Sequence, residues 1–170
     1  MTEPLDPQTV RIAREAEGYY ELGLYDDALQ RAEDLIERGK LADHAWMLKA
    51  ECLRSLGRWP DGSAAFEEAI RREPGSVAGH VGLGWCRKRE GRLDLAIQAM
   101  ELLLRSRPEE PVGLYNLACY LSLSGDRARS LDLLRRAIEA EDGYRDLAVR
   151  EEDFAALRDD PAFGEIVAGT

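Results

Sequence analysis

Apolar residues recur along this chain in short runs with helical spacing, each run stopping and then restarting. Leu114, Leu117, Ala118 and Leu121 fall on one helical face, and after Ser124 and Gly125 a second face is built from Leu131, Leu134, Ala137 and Ile138. The pattern predicts pairs of amphipathic helices joined by tight turns. The break falls on glycine, and it recurs: Gly23, Gly57, Gly91 and Gly125 stand 34 residues apart without a slip. Glycine enters the left-handed region that ends a helix with no Cβ penalty, whereas a β-branched residue there would cost about 1–2 kcal/mol.

The same period governs side-chain size. Ala16, Ala50, Gly84 and Ala118 are all small, as are Ala28, Gly62, Ala96 and Ser130. Leu35, Ala69, Leu103 and Ala137 are apolar throughout, and Ala32, Phe66, Met100 and Leu134 add the larger packing groups. Small residues are expected where two helices cross closely, because a larger group would push the axes apart at about 1–3 kcal/mol. Helix starts are marked by Asp6 with Pro7, by Ser76, by Glu110 with Pro111 and by Asp126, while Pro74 and Pro108 close helices.

These residues resemble the tetratricopeptide repeat. The second unit fits well, with Trp46, Ala50, Trp59, Phe66, Ala69 and Pro74. The third matches through Gly84, Leu93, Ala96, Met100 and Pro108, the fourth through Tyr115, Asn116, Leu117, Ala118 and Ala137, and the first through Ala16, Tyr19, Tyr25 and Ala28. Gly62 stands in place of the usual Ala, and His80 takes the bulky slot of the third unit. The resemblance implies an all-α fold, a right-handed α-solenoid of helix-turn-helix repeats, within a single domain over 1–170. The repeats are expected at 9–42, 43–76, 77–110 and 111–142. Residues 143–170 lack the repeat landmarks and carry Tyr144, Leu147, Phe154, Leu157, Phe163 and Ile166, broken by Asp160 and Pro161. They are expected to form two or three short helices that cap the last repeat's apolar face.

Charge narrows the range of functions. The net charge of −10 argues against a nucleic-acid surface, which needs a basic face. The acidity is concentrated at the ends: residues 1–40 carry ten acidic against five basic side chains, and residues 141–170 carry nine against three. The first residues lack the basic and apolar stretches of a leader, and no apolar run approaches the roughly 18 residues of a membrane span. The cytoplasm is the expected compartment, with no membrane insertion. Cys52, Cys86 and Cys119 have no metal-site spacing and read as small buried hydrophobes, although Cys52 and Cys86 occupy equivalent places and Arg87 and Lys88 adjoin Cys86, which leaves a redox role open. Gly79, Gly82 and Gly84 lie inside a predicted helix without a P-loop lysine and read as packing glycines. His44 and His80 have no second histidine one turn away. No catalytic, metal or cofactor site is expected, and the chain reads as a non-enzyme.

If the repeats stack as the resemblance implies, the first helix of each hairpin lines a concave surface. Its rows are Val10, His44, Ala78 and Val112; Ala13, Met47, Val81 and Tyr115; Glu17, Glu51, Trp85 and Cys119; and Tyr20, Arg54, Lys88 and Ser122. Partner-binding residues are therefore expected at Tyr20, Met47, Glu51, Arg54, Val81, Trp85, Lys88, Arg89, Tyr115 and Asn116. Met47, Trp85 and Tyr115 would be apolar anchors, Arg54, Lys88 and Arg89 would pair with acids, and the Asn116 amide would hold a peptide backbone. Filling of the core is the alternative reading for Trp85 and Tyr115. Chaperone-binding members of the family clamp a carboxylate with basic and amide groups, but the matching places here hold Ala13, Glu17, Leu48, Ala78 and Gly82, so that activity is not carried over. The expected function is a protein-interaction module for a protein or peptide. The alternative is a self-associating subunit, a homo-oligomer built through the repeat ends or the convex face.

Overall fold

The computed structural model describes residues 5–169, and all regular structure among them is helical. The stretch 1–7, read above as lacking leader features, lies outside the described residues over 1–4. The chain divides into two compact units, Met1–Glu90 and Gly91–Thr170, with the border at the turn inside the third expected repeat. The first contains α1 (Pro7–Glu21), α2 (Tyr25–Glu37), α3 (Ala42–Ser55), α4 (Trp59–Arg72) and α5 (Val77–Arg89). Each of these packs on the next, and α3 also touches α5. The second contains α6 (Leu93–Ser106), α7 (Pro111–Ser124), α8 (Arg127–Ala140), α9 (Gly143–Arg150), a 3-10 helix (Glu152–Leu157) and α10 (Pro161–Ala168).

The turns obey the glycine register. Gly23, Gly57, Gly91 and Gly125 have φ of 74°, 73°, 77° and 84°, the left-handed values that only glycine adopts freely. All four small-residue and packing series are buried. The one hydroxyl among them is satisfied, since Ser130 donates to the Ala118 carbonyl at 2.8 Å. Asp6, Ser76 and Asp126 cap their helices, accepting from the backbone amides of Thr9, Gly79 and Arg129. Glu110 makes no side-chain cap, so Pro111 alone marks the start of α7, where a missing N–H costs nothing.

The two departures from the repeat pattern have packing causes. His80 is buried and its Nε2 donates to the Pro74 carbonyl at 3.0 Å, so it anchors the loop before α5. At Gly62 an added Cβ would sit 3.3 Å from Cys86 Sγ, so the thiol fills the volume that Ala usually takes. Gly82 is tighter still. A Cβ there would lie 2.8 Å from Phe66 Cε2 and closer yet to the rest of the ring edge, which fixes glycine against the largest side chain of its series.

Within the C-terminal unit, residues 143–168 fold back over the last hairpin. The 3-10 helix packs on α7, and α10 packs on α8 and α9. Asp160 caps α10 by accepting from the Ala162 amide and pairs with Arg127 of α8, and Arg145 donates to the Ile166 carbonyl at 2.8 Å. Phe154, Leu157, Phe163 and Ile166 are buried as expected. Leu147 is not: it is 53% exposed, and Ala148, at 0%, takes the inward place because α9 is short and presents one narrow face.

Gly82→Ala is expected to lower stability by about 1–3 kcal/mol through overpacking, measured by urea denaturation, and Phe66→Leu in the same chain should recover part of the loss. Phe154→Ala, which empties a fully buried site, should cost about 3–5 kcal/mol by the same measurement.

Candidate functional site

The sequence-predicted binding residues fall in both units, and the two sets meet different surroundings. In the N-terminal unit, Tyr20 ends α1, Met47, Glu51 and Arg54 lie along α3, and Val81, Trp85, Lys88 and Arg89 lie along α5. All but Arg89 are half-buried, and Arg89 is exposed. Residues 51 and 54 are one helical turn apart and meet: Arg54 donates from Nε at 2.8 Å and from Nη2 at 2.6 Å to one carboxylate oxygen of Glu51. The repeat register then brings α5 alongside, and the Arg54 guanidinium lies 5.3 Å from the centre of the Trp85 ring.

Trp85 has a second cation on it. Arg89, the last residue of α5, lies 5.5 Å from the Trp85 ring centre and 4.8 Å from that of Trp59, which opens α4. The ring quadrupole attracts a guanidinium by about 0.5–1 kcal/mol at an exposed site, and the C-terminal end of α5 favours positive charge. The result is a ladder running Glu51, Arg54, Trp85, Arg89, Trp59. Tyr20 stands edge-on to Tyr25 at 5.5 Å, and burial, with Glu51 nearby, raises its phenol pKa. Trp59 and Tyr25 were legible as repeat landmarks but not as parts of this surface. The signal that finds Trp59 is its 30-residue separation from Arg89, which pairs the start of a second helix with the end of the next hairpin's first helix.

In the C-terminal unit the expected anchor is already covered. Tyr115 is 7% exposed, stacked at 4.6 Å on Tyr144 and edge-on at 5.9 Å to Phe154. Burial raises its phenol well above the ordinary range. Its ring is engaged by the chain's own tail, an arrangement that fits the core-filling reading of Tyr115. Asn116 donates its amide to the Val112 carbonyl one turn back at 2.8 Å, which commits one of its two amide hydrogens locally.

The remaining chemistry-bearing residues have structural surroundings. Cys52 and Cys86 are fully buried free thiols, and desolvation pushes both up to about 12. His44 Nε2 is 3.3 Å from a Glu17 carboxylate oxygen on an open surface. Two depressions of the N-terminal unit are lined by none of the ladder residues. One of about 610 Å³ is bounded by Arg11, Glu15, Arg31 and Asp34, and another of about 320 Å³ by Trp46, Lys49, Asp61 and Glu68.

A family model described as the tetratricopeptide repeat matches residues 14–62 and 53–111, more than half the chain. The chain belongs to the tetratricopeptide repeat family. Its fold class is the all-α solenoid of that family, and the family's fold serves as a protein-interaction scaffold whose members are generally non-catalytic. Solved tetratricopeptide proteins share the architecture. A crystal structure of MamA superposes with a TM-score of 0.78 at 12% identity, over 94% of this chain and 86% of that one. YrrB, described as having an unusual peptide-binding site, gives 0.69 at 17% over 79% and 69%. TTC0263, a thermophilic protein of Thermus thermophilus, gives 0.67 at 18% over 95% and 87%. At these identities the likeness carries the tetratricopeptide fold alone. No curated protein matches the chain.

The thiols give a pH prediction. Their folded pKa lies above the unfolded value, so the folded state holds more protons between about pH 9 and pH 12 and stability should fall as pH rises through that window. A chromogenic disulfide reagent at pH 8 should label Cys52 and Cys86 only after urea is added. Rapid labelling of the native chain would restore a redox reading.

Proposed function

We propose that this tetratricopeptide protein is a non-catalytic interaction module that holds a peptide or partner surface on the α1, α3 and α5 face of its N-terminal unit. The observation that carries the reading is Trp85, a half-buried indole flanked by Arg54 and Arg89, on a helix face whose packing positions are already filled by other residues. Aromatic and arginine side chains are the types enriched where interfaces concentrate their energy. Tyr20, Met47, Glu51, Arg54, Val81, Lys88 and Arg89 complete the surface. Tyr115 and Asn116 are left out of it, because Tyr144, Phe154 and Val112 engage them within the C-terminal unit. A flexible ligand ordered on such a face binds at around micromolar strength, about −8 kcal/mol.

Three free cysteines and the lack, among the described residues, of a helix long and apolar enough to cross a membrane support the cytoplasm as the setting. Self-association through the repeat ends has less support, because Arg11, Glu15, Arg31 and Asp34 cover the outer edge of the first hairpin with ion pairs.

Trp85→Ala should abolish capture of the chain's partners in a comparative pull-down with mass spectrometry from the native cell, while circular dichroism stays unchanged. An identical partner set for the variant would refute the face, and a molar mass from light scattering that rises with concentration would favour the self-associating reading.

A further inference from the structure

The tail of the chain carries information about what this face accepts. In the repeat register Tyr115 is the counterpart of Val81 and Met47, and Cys119 is the counterpart of Trp85 and Glu51. The same helix face that is half-exposed on α3 and α5 is covered on α7 by Tyr144 of α9 and by the stretch Glu151–Leu157. It reads Glu-Glu-Asp-Phe-Ala-Ala-Leu: three carboxylates running into an aromatic. Its 3-10 helix packs on α7 and its Phe154 meets the Tyr115 ring.

The N-terminal unit presents the complementary chemistry. Its neighbouring arginines are neutralised in place, Arg54 by Glu51, Arg58 by Asp61, Arg71 by Glu68 and Arg87 by Glu67. Arg89 differs: among the described residues it has no carboxylate partner, and it is held by Trp59 and Trp85 alone. A ring quadrupole positions a guanidinium without cancelling its charge, and the planar fork left facing solvent matches a carboxylate in two parallel hydrogen bonds. The rotamer cost of holding Arg89 is met before the ligand arrives, which raises affinity. The chain's overall acidity does not oppose this. Residues 41–90 carry eight basic against seven acidic side chains, and at physiological salt charges beyond about 8 Å are largely screened.

We infer that the N-terminal unit binds an acidic-aromatic peptide segment of a partner protein, a run of carboxylates adjoining Phe, Trp or Leu, with a carboxylate on Arg89 and the apolar side chain against Trp85. This rests on the peptide-binding reading above and names its ligand class.

A phage library of random dodecapeptides selected on the full chain tests it. The selected sequences should combine Asp or Glu with an adjacent large apolar residue, and their binding, followed by tryptophan fluorescence, should weaken with added salt. Arg89→Gln should weaken the best peptide about tenfold, Arg89→Lys should weaken it less, and replacing the peptide's Glu by Gln should reproduce the loss on the unmodified chain, an arm that needs no folded variant. Selected peptides that depend on Trp85 but carry no acids, or that ignore Arg89→Gln, would overturn this inference and leave the peptide-binding reading standing. Failure to select any peptide would overturn both.

Discussion

Two helices of a hairpin can approach closely only where both present a small side chain, and that constraint organises the repeats of this protein. Ala16, Ala50, Gly84 and Ala118 on the first helices and Ala28, Gly62, Ala96 and Ser130 on the second are all buried. Volume is conserved locally. Where Gly62 gives up a methyl, Cys86 Sγ moves into reach, and where Phe66 is larger than its counterparts Ala32 and Met100, Gly82 gives up its Cβ. Because interiors are packed near crystal density, such exchanges must occur in pairs, which ties neighbouring hairpins to one another through specific residues.

This is also why the fold could be read from the residues. A constraint that recurs every 34 positions leaves coincident series of small, apolar and turn residues, and each series can be checked against the others. The fate of Tyr115 could not be read in that way. Its neighbours Tyr144 and Phe154 belong to a segment outside the period, and no repeat-based comparison says which face a non-repeating tail will cover. Leu147 failed for a related reason: on a helix of eight residues one narrow face decides burial, and Ala148 holds it. Trp59 was visible as a landmark, but its part in the ladder depends on Arg89 reaching back from the next hairpin.

The ladder uses the freedom that the packing positions leave. Glu51, Trp85 and Cys119 are equivalent in the repeat yet chemically unrelated, so nothing in the scaffold dictates them. Pairing Arg54 with Glu51 fixes one guanidinium against Trp85 and spends its charge, while Arg89 is fixed by two rings and keeps its charge. Two arginines on the same indole therefore play different parts, one as a support for the ring and the other as a contact for a carboxylate.

The two ends of the repeat array solve the problem of an unstacked face by different means. On α3, Ala45 is sealed against Ile12 and Leu35. One repeat earlier the same position is Arg11, exposed, with Glu15 in the place of Lys49, and Arg31 and Asp34 extend the ion pairs across α2. Surface pairs of this kind add little to stability, so their weight lies in keeping the edge wet and unattractive to another hairpin, not in holding it together. The other end keeps apolar positions on its last hairpin and covers them with a tail anchored by Phe154, Phe163 and the Arg127–Asp160 pair. A charged edge needs no additional chain, whereas an apolar one does. That difference places the tail on α7, across the position whose counterparts on α3 and α5 remain half-exposed.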